Sequence, residues 1–135
     1  MWKSKILALA LLLSATFSLS LPAQAEKTAE DYINYIELKP FVTNYGGPGP
    51  IRFLKAEVTL QVDTPEAHHA VNAHIAHIRN ELVFLFSGVT EEDLGTVAAQ
   101  QVLAERALQA VQKLLREETG APQVTDLFFT SFVTQ

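Results

Sequence analysis

The chain has 135 residues, enough for one modest domain, and its formal net charge of −5 argues against a protein that neutralises nucleic-acid phosphates. It contains no cysteine, so a disulfide framework, a thiolate nucleophile and a cysteine-ligated metal are excluded. With 48% hydrophobic and 19% charged residues, the composition is otherwise that of an ordinary globular protein.

Residues 1–25 have the three parts of a secretory signal peptide. A basic start, MWKSK, precedes an apolar stretch of 16 residues, and AQA at residues 23–25 places small side chains where signal peptidase reads them. We predict cleavage between Ala25 and Glu26, export to the periplasm, and a short segment, residues 26–31, before the folded domain, residues 32–135. Because 16 residues fall short of the roughly 20 that span a bilayer, an uncleaved single-pass inner-membrane anchor is only the alternative.

Two segments with strand periodicity flank a turn. Residues 32–45, YINYIELKPFVTNY, alternate, and Pro40 indicates an edge strand or a bulge because proline has no N–H to donate. The loop GGPGP at residues 46–50 closes a hairpin with residues 51–62, IRFLKAEVTLQV, the clearest strand. The apolar residues of that strand all point to one face: Leu54, Ala56, Val58, Leu60 and Val62.

Two amphipathic helices follow the hairpin. The first begins at the N-cap Thr64 and runs to about residue 87. TEED at residues 90–93 then predicts a capped helical turn. The second long helix covers residues 96–119 and ends at Gly120, which occupies the position after the C-cap where glycine is favoured.

The closing segment, VTDLFFTSFVT at residues 124–134, is rich in β-forming residues and predicts a last strand. The predicted element order is therefore β-β-α-α-β. Because strands and helices are segregated along the chain, we expect an α+β fold, with a small antiparallel sheet of about three strands packed against two long helices.

All four histidines fall within the first helix. At 100° per residue the rings spread around it, and only His74 and His77, at i and i+3, could share an ion. A zinc site needs three or four ligands, so we interpret the histidines as solvent-facing or flank residues, with His74 nearest the core, and predict no metal ligands, no cofactor and no catalytic residues. A small periplasmic ligand- or metal-binding protein, using this pair and an acid from elsewhere, is the alternative function.

Four segments in order resemble the periplasmic domain of the FliL family of flagellar basal-body proteins. They are YIELKPFVTN at residues 35–44, RFLKAEVTLQV at 52–62, IRNELVFLFSGVTEEDL at 78–94 and VTDLFFTSFVTQ at 124–135. The resemblance covers about residues 32–135. Its most specific parts are the run from Ile78 to Leu94 and the FxxFxxQ ending at Phe129, Phe132 and Gln135.

The resemblance implies a fold similar to the stomatin-type SPFH domain and a non-enzymatic role beside the flagellar stator units. It implies partners among stator and basal-body proteins, assembly into rings, and support of torque and switching. Family members usually carry a cytoplasmic tail, a transmembrane helix and a linker. This chain instead has a cleavable-looking signal followed by about six residues, so we expect a periplasmic protein that reaches the motor through contacts.

The predicted sheet face away from the helices carries aromatic side chains. Tyr35 and Phe41 come from the first strand, Phe53 from the second and Phe128 from the last. An apolar patch of that kind usually marks an interaction site, although another part of the chain could cover it. We expect self-association or docking on a motor component there, with Phe41→Ser or Phe53→Ser weakening assembly while leaving the fold intact.

Overall fold

The structure is a computed structural model that describes residues 32–135, so the predicted cleavage site at Ala25 and Glu26 lies outside the described residues. The strands are β1 (Asn34–Glu37), β2 (Phe41–Tyr45), β3 (Arg52–Val62) and β4 (Asp126–Thr134). The helices are α1 (Pro65–Ala73), α2 (Ile75–Ser87), α3 (Glu91–Leu94) and α4 (Val97–Thr119). Among these helices none has both the length and the apolar character needed to cross a membrane.

The sheet is antiparallel and organised around β3. β4 pairs with residues 54–61 of β3, while β1 pairs with residues 59–62 and β2 with residues 52–56. Since each residue of β3 has only two lateral neighbours, β1 and β2 must share the edge opposite β4. They are one interrupted strand, so four strands fill three positions and the predicted α+β fold with a small antiparallel sheet is confirmed.

A bulge separates β1 from β2. Ile36 pairs with Leu60, but Phe41 pairs with Ala56, so the edge strand holds one residue more than β3 over this interval. The extra residue reverses which side chains face the helices. Phe41 therefore points into the core, at 1% exposure, and not to the outer face as alternation alone predicts.

A second irregularity occurs in β4. Val58 pairs with Phe129 whereas Glu57 pairs with Ser131, which leaves Thr130 as the extra residue. Phe129 and Phe132 consequently both pack on the core, and their rings lie 5.1 Å apart between centroids. Uninterrupted alternation along β4 would put Phe132 on the same face as Phe128, and the bulge at Thr130 is the reason that Phe132 faces the core instead.

The predicted first helix is two helices that meet at His74. The His74 ring donates from Nδ1 to the carbonyl of Ala70 at 2.8 Å, the acceptor that the His74 backbone N–H would use in a continuous helix. The N–H bonds instead to the carbonyl of Val71 at 3.0 Å, so the α-helical ladder is interrupted there. This side-chain competition divides α1 from α2, and periodicity does not reveal it.

The predicted helix ends are confirmed. The Thr64 hydroxyl accepts from the N–H of Ala67 at 3.0 Å, and Thr90 and Asp93 form a capping box at the start of α3. α4 ends at Gly120, whose φ of 85° is in the left-handed region that favours glycine. These local contacts start and stop the helices within the short connections available to them.

The core lies between the helices and the inner face of the sheet. The five inward residues predicted for β3 are all at most 1% exposed, and α4 buries a stripe against them. That stripe consists of Leu103, Ala107, Val111 and Leu115. Phe86 of α2 packs edge-on against Phe41, with centroids 5.4 Å apart, and 5.8 Å from Phe129. With the helices on one side, the opposite face of the sheet stays exposed.

Candidate partner surface

The outer face of the sheet is built from alternate residues of all four strands. In the middle of β3 the outward side chains are charged, and Lys55 Nζ lies 4.0 Å from Glu57 Oε1. The strands on both sides supply apolar side chains in register with β3. The face therefore consists of two apolar groups, one toward each end of β3, with an ion pair between them.

The first apolar group is the pair of rings from Tyr35 of β1 and Phe128 of β4. The two strands lie on opposite sides of β3, yet the ring centroids are only 6.5 Å apart, with the planes tilted by 55°. Thr59 of β3, which pairs with Phe128, is 7% exposed because side chains on both neighbouring strands flank it. The rings themselves remain 54% and 40% exposed, a large aromatic surface facing solvent.

The second apolar group surrounds a shallow cavity of about 200 Å³ at the other end of the face. Its apolar walls are Val42 of β2, Phe53 of β3 and Val133 of β4, and Lys55 and Gln135 complete the lining. The backbones of Phe53 and Gln135 exchange hydrogen bonds of 2.8 and 2.9 Å, which extends the ladder to the last residue of the chain. The cavity floor is therefore rigid sheet backbone.

Three of the four side chains predicted for a partner surface lie on this outer face: Tyr35, Phe53 and Phe128. The fourth, Phe41, is a correction, since the bulge at Pro40 turns its ring into the core between the sheet and α2. Phe41→Ser is therefore a core substitution that removes a packed ring and buries a hydroxyl, so it disturbs folding before it disturbs any contact.

Sequence reasoning missed part of the exposed apolar surface. Val42, which uninterrupted alternation from Ile36 would put on the buried face, is 68% exposed, and Val133 is 45% exposed beside Phe53. The same two bulges that bury Phe41 and Phe132 expose these valines. Phe84 of α2 is 72% exposed on a different side of the molecule, and its position two residues after Leu82, off the three-to-four spacing of the helix stripe, was the available signal.

Of the four histidines, the two at the α1–α2 junction share an acidic neighbour from α4. His74 Nε2 lies 3.9 Å from Glu118 Oε2, and His77 Nδ1 lies 3.8 Å from Glu118 Oε1. His68 and His69 lie earlier, on α1. Over residues 32–135 no group of three or more histidine, aspartate or glutamate side chains is arranged to hold a metal ion. Glu118 is therefore an acidic side chain from another element that lies beside both rings.

Most of the described chain matches a known protein family. The family model described as flagellar basal body-associated protein FliL matches residues 35–135, from the second residue of β1 to the end of the chain. The matched region contains both apolar groups of the outer face. No curated protein matches the sequence.

Proposed function

The chain belongs to the FliL family of flagellar basal body-associated proteins, and from this we propose that it is a non-enzymatic accessory protein of the flagellar motor. The observation that carries the proposal is the family match over residues 35–135, which spans nearly the whole sheet and all four helices. A function through protein contacts also fits a molecule whose most distinctive surface is aromatic.

A more specific proposal concerns where the protein acts in the cell and which proteins it contacts. The protein acts in the periplasm at the inner membrane, where it self-associates and contacts stator or basal-body components in support of rotation and motility. The export signal predicted for residues 1–25 supports the location. The exposed rings on the outer face of the sheet support the contacts, because aromatic side chains contribute large apolar area to interfaces.

Within that proposal, the outer face is the contact surface. Tyr35 and Phe128 form one apolar group, and Phe53 with its neighbouring valines forms the other. The Lys55–Glu57 pair between them supplies charges of both signs that a partner can match. A partner covering both groups would remove the rings from water while leaving this ion pair near the middle of the interface.

The test is complementation of a strain that lacks the gene, scored by the diameter of the swimming zone in soft agar. The deletion strain is expected to swim less well, and the wild-type gene is expected to restore it. Phe53→Ser and Phe128→Ser are expected to restore it poorly, since losing an aromatic anchor weakens a contact by about tenfold or more. Circular dichroism of the purified variants should match that of the wild type.

Phe84→Ser is the matched control, because it makes the same change at an exposed phenylalanine of α2 that lies off the sheet. It is expected to restore swimming fully. The reverse pattern, with Phe84→Ser defective and the sheet variants normal, would place the contact on the helices. Unchanged swimming after deletion of the gene would contradict a motor role altogether.

A further inference from the structure

A groove of about 510 Å³ runs between the first half of α4 and the start of β4, on the side of the sheet away from β1 and β2. Its apolar surface comes from both elements: Val97, Ala104, Leu108, Leu127, Phe128 and Phe129. Val97 is 73% exposed, so the groove opens to solvent beside the N-terminal end of α4. Among the groove side chains, Phe128 also belongs to the first apolar group of the outer face, which it forms with Tyr35.

One wall of the groove is the outer edge of β4. Phe53 and Gln135 exchange backbone bonds, so alternate residues of β3 from Phe53 onward direct their N–H and C=O groups toward β4. Thr59 and Gln61 thus bond to the residues opposite them, Phe128 and Asp126. The residues between, Leu127 and Phe129, direct their backbone groups into the groove, where no strand in residues 32–135 pairs with them.

The rim of the groove is acidic. Within residues 32–135, the charged residues that line it are Glu105 of α4 and Asp126 of β4. Asp126 also uses Oδ1 to accept the N–H of Leu127 at 2.8 Å, which occupies one of the edge donors and discourages indiscriminate strand pairing. An occupant therefore gains from the apolar side chains, from strand hydrogen bonds to the Leu127 carbonyl and to the backbone N–H and C=O of Phe129, and from positive charge beside Glu105 and Asp126.

We infer that this groove binds an extended segment of another protein, about five residues long, that adds a strand to β4 and carries lysine or arginine beside the acidic rim. Alternate side chains of such a strand point toward α4, as those of Leu127 and Phe129 do, and fill the space beside Ala104 and Leu108. The lysine or arginine side chains of the segment lie beside the carboxylates of Glu105 and Asp126. This inference does not rest on the flagellar assignment and can fail without it.

The probe for the test is a synthetic peptide in which valine and threonine alternate between two terminal lysines. Peptides with terminal glutamates, or with a proline at the centre, serve as its controls. Binding to the exported chain is followed by amide chemical shifts and by hydrogen exchange. The lysine peptide is expected to shift amides of residues 97–108 and 126–129 and to slow exchange at Phe129. The glutamate and proline peptides are expected to do neither.

Charge reversal gives the matched pair of variants. Glu105→Lys at the rim is expected to weaken lysine-peptide binding by about three- to fivefold, the effect of one exposed ion pair. Glu117→Lys makes the same change at an exposed position of α4 outside the groove and is expected to leave binding unchanged. Both positions are exposed, so neither change disturbs the core.

Three results would overturn the inference. If the lysine and glutamate peptides bind with equal affinity, the acidic rim does not select a positively charged segment. Slow exchange at Phe129 in the peptide-free monomer would mean that the chain itself already covers the edge. Concentration-dependent dimerisation that Ala104→Phe abolishes would assign the groove to a second copy of this protein.

Discussion

Arg79 of α2 stabilises the bulge at Pro40, and this bulge determines which side chains of β2 point toward the helices. Its guanidinium donates to the carbonyl of Lys39 and, at 3.3 Å, to that of Pro40, while its Cζ lies 4.3 Å from the centre of the Phe41 ring. The extra residue leaves carbonyls without ladder partners, and the planar fork of arginine can satisfy two of them at once. The same side chain covers the ring that the bulge turns inward.

Arg79→Ala is expected to lower the free energy of unfolding by about 1–2 kcal/mol, because it removes two charge-assisted hydrogen bonds and a cation–π contact at a half-buried site. Urea denaturation followed by circular dichroism measures the change. The free energy of unfolding of Arg79→Lys is expected to lie between those of the wild type and Arg79→Ala, because the lysine ammonium keeps the positive charge but lacks the planar guanidinium.

Arg116→Ala is the control for that measurement. Arg116 is exposed in the last turn of α4, and its substitution is expected to change stability by less than about 0.5 kcal/mol. Equal effects of the two alanine substitutions would show that Arg79 does not stabilise the bulge.

At the level of the elements, local chemistry made most of the fold predictable. The period-2 pattern of β3, the threonine caps and the glycine after α4 each act within a few residues, so the sequence displays them directly. The bulges at Pro40 and Thr130 depend on register against β3, which is set by strands distant in sequence. The break at His74 depends on a side-chain bond that competes with the helix ladder.

The glycines at the ends of α2 and α4 have different backbone conformations. Substitution by alanine is therefore expected to change stability differently at the two positions. Gly120 has a φ of 85° with open space around it, so Gly120→Ala introduces only backbone strain, costing about 1 kcal/mol. Gly88 has a φ of −93°, and an added Cβ would meet the Leu85 carbonyl oxygen at an ordinary 3.7 Å.

Gly88→Ala is therefore expected to be neutral or to stabilise the protein by up to about 1 kcal/mol, through a less flexible unfolded chain. Thermal unfolding of both variants measures the difference. A lower melting temperature for Gly88→Ala than for Gly120→Ala would contradict the backbone argument.

On the scale of the molecule, the sequence predicted that one sheet face is aromatic and exposed. It did not predict all of the side chains that lie on that face. Tyr35, Phe53 and Phe128 were placed correctly because each lies on a strand section before or away from a bulge. Phe41 and Val42 exchanged roles because they follow one. The fold's likeness to the SPFH domain, implied by the resemblance, stays a prediction.

The state of the N-terminus in the cell also belongs to this scale. We expect the exported protein to begin at Glu26, since small residues at positions 23 and 25 match the specificity of signal peptidase. Intact-mass spectrometry of the protein recovered from the periplasm checks this. A mass that includes residues 1–25, recovered from the membrane fraction, would instead support the anchored alternative.

The interrupted edge formed by β1 and β2 has a consequence for how copies of the molecule can join. Pro40 offers no amide, and the carbonyls of Lys39 and Pro40 already bond to Arg79, so that side cannot template a continuous new strand. Growth by edge-to-edge stacking of whole strands needs two uninterrupted edges, and within residues 32–135 the edge formed by β1 and β2 is interrupted. This interruption therefore disfavours open-ended stacking of copies through their sheet edges.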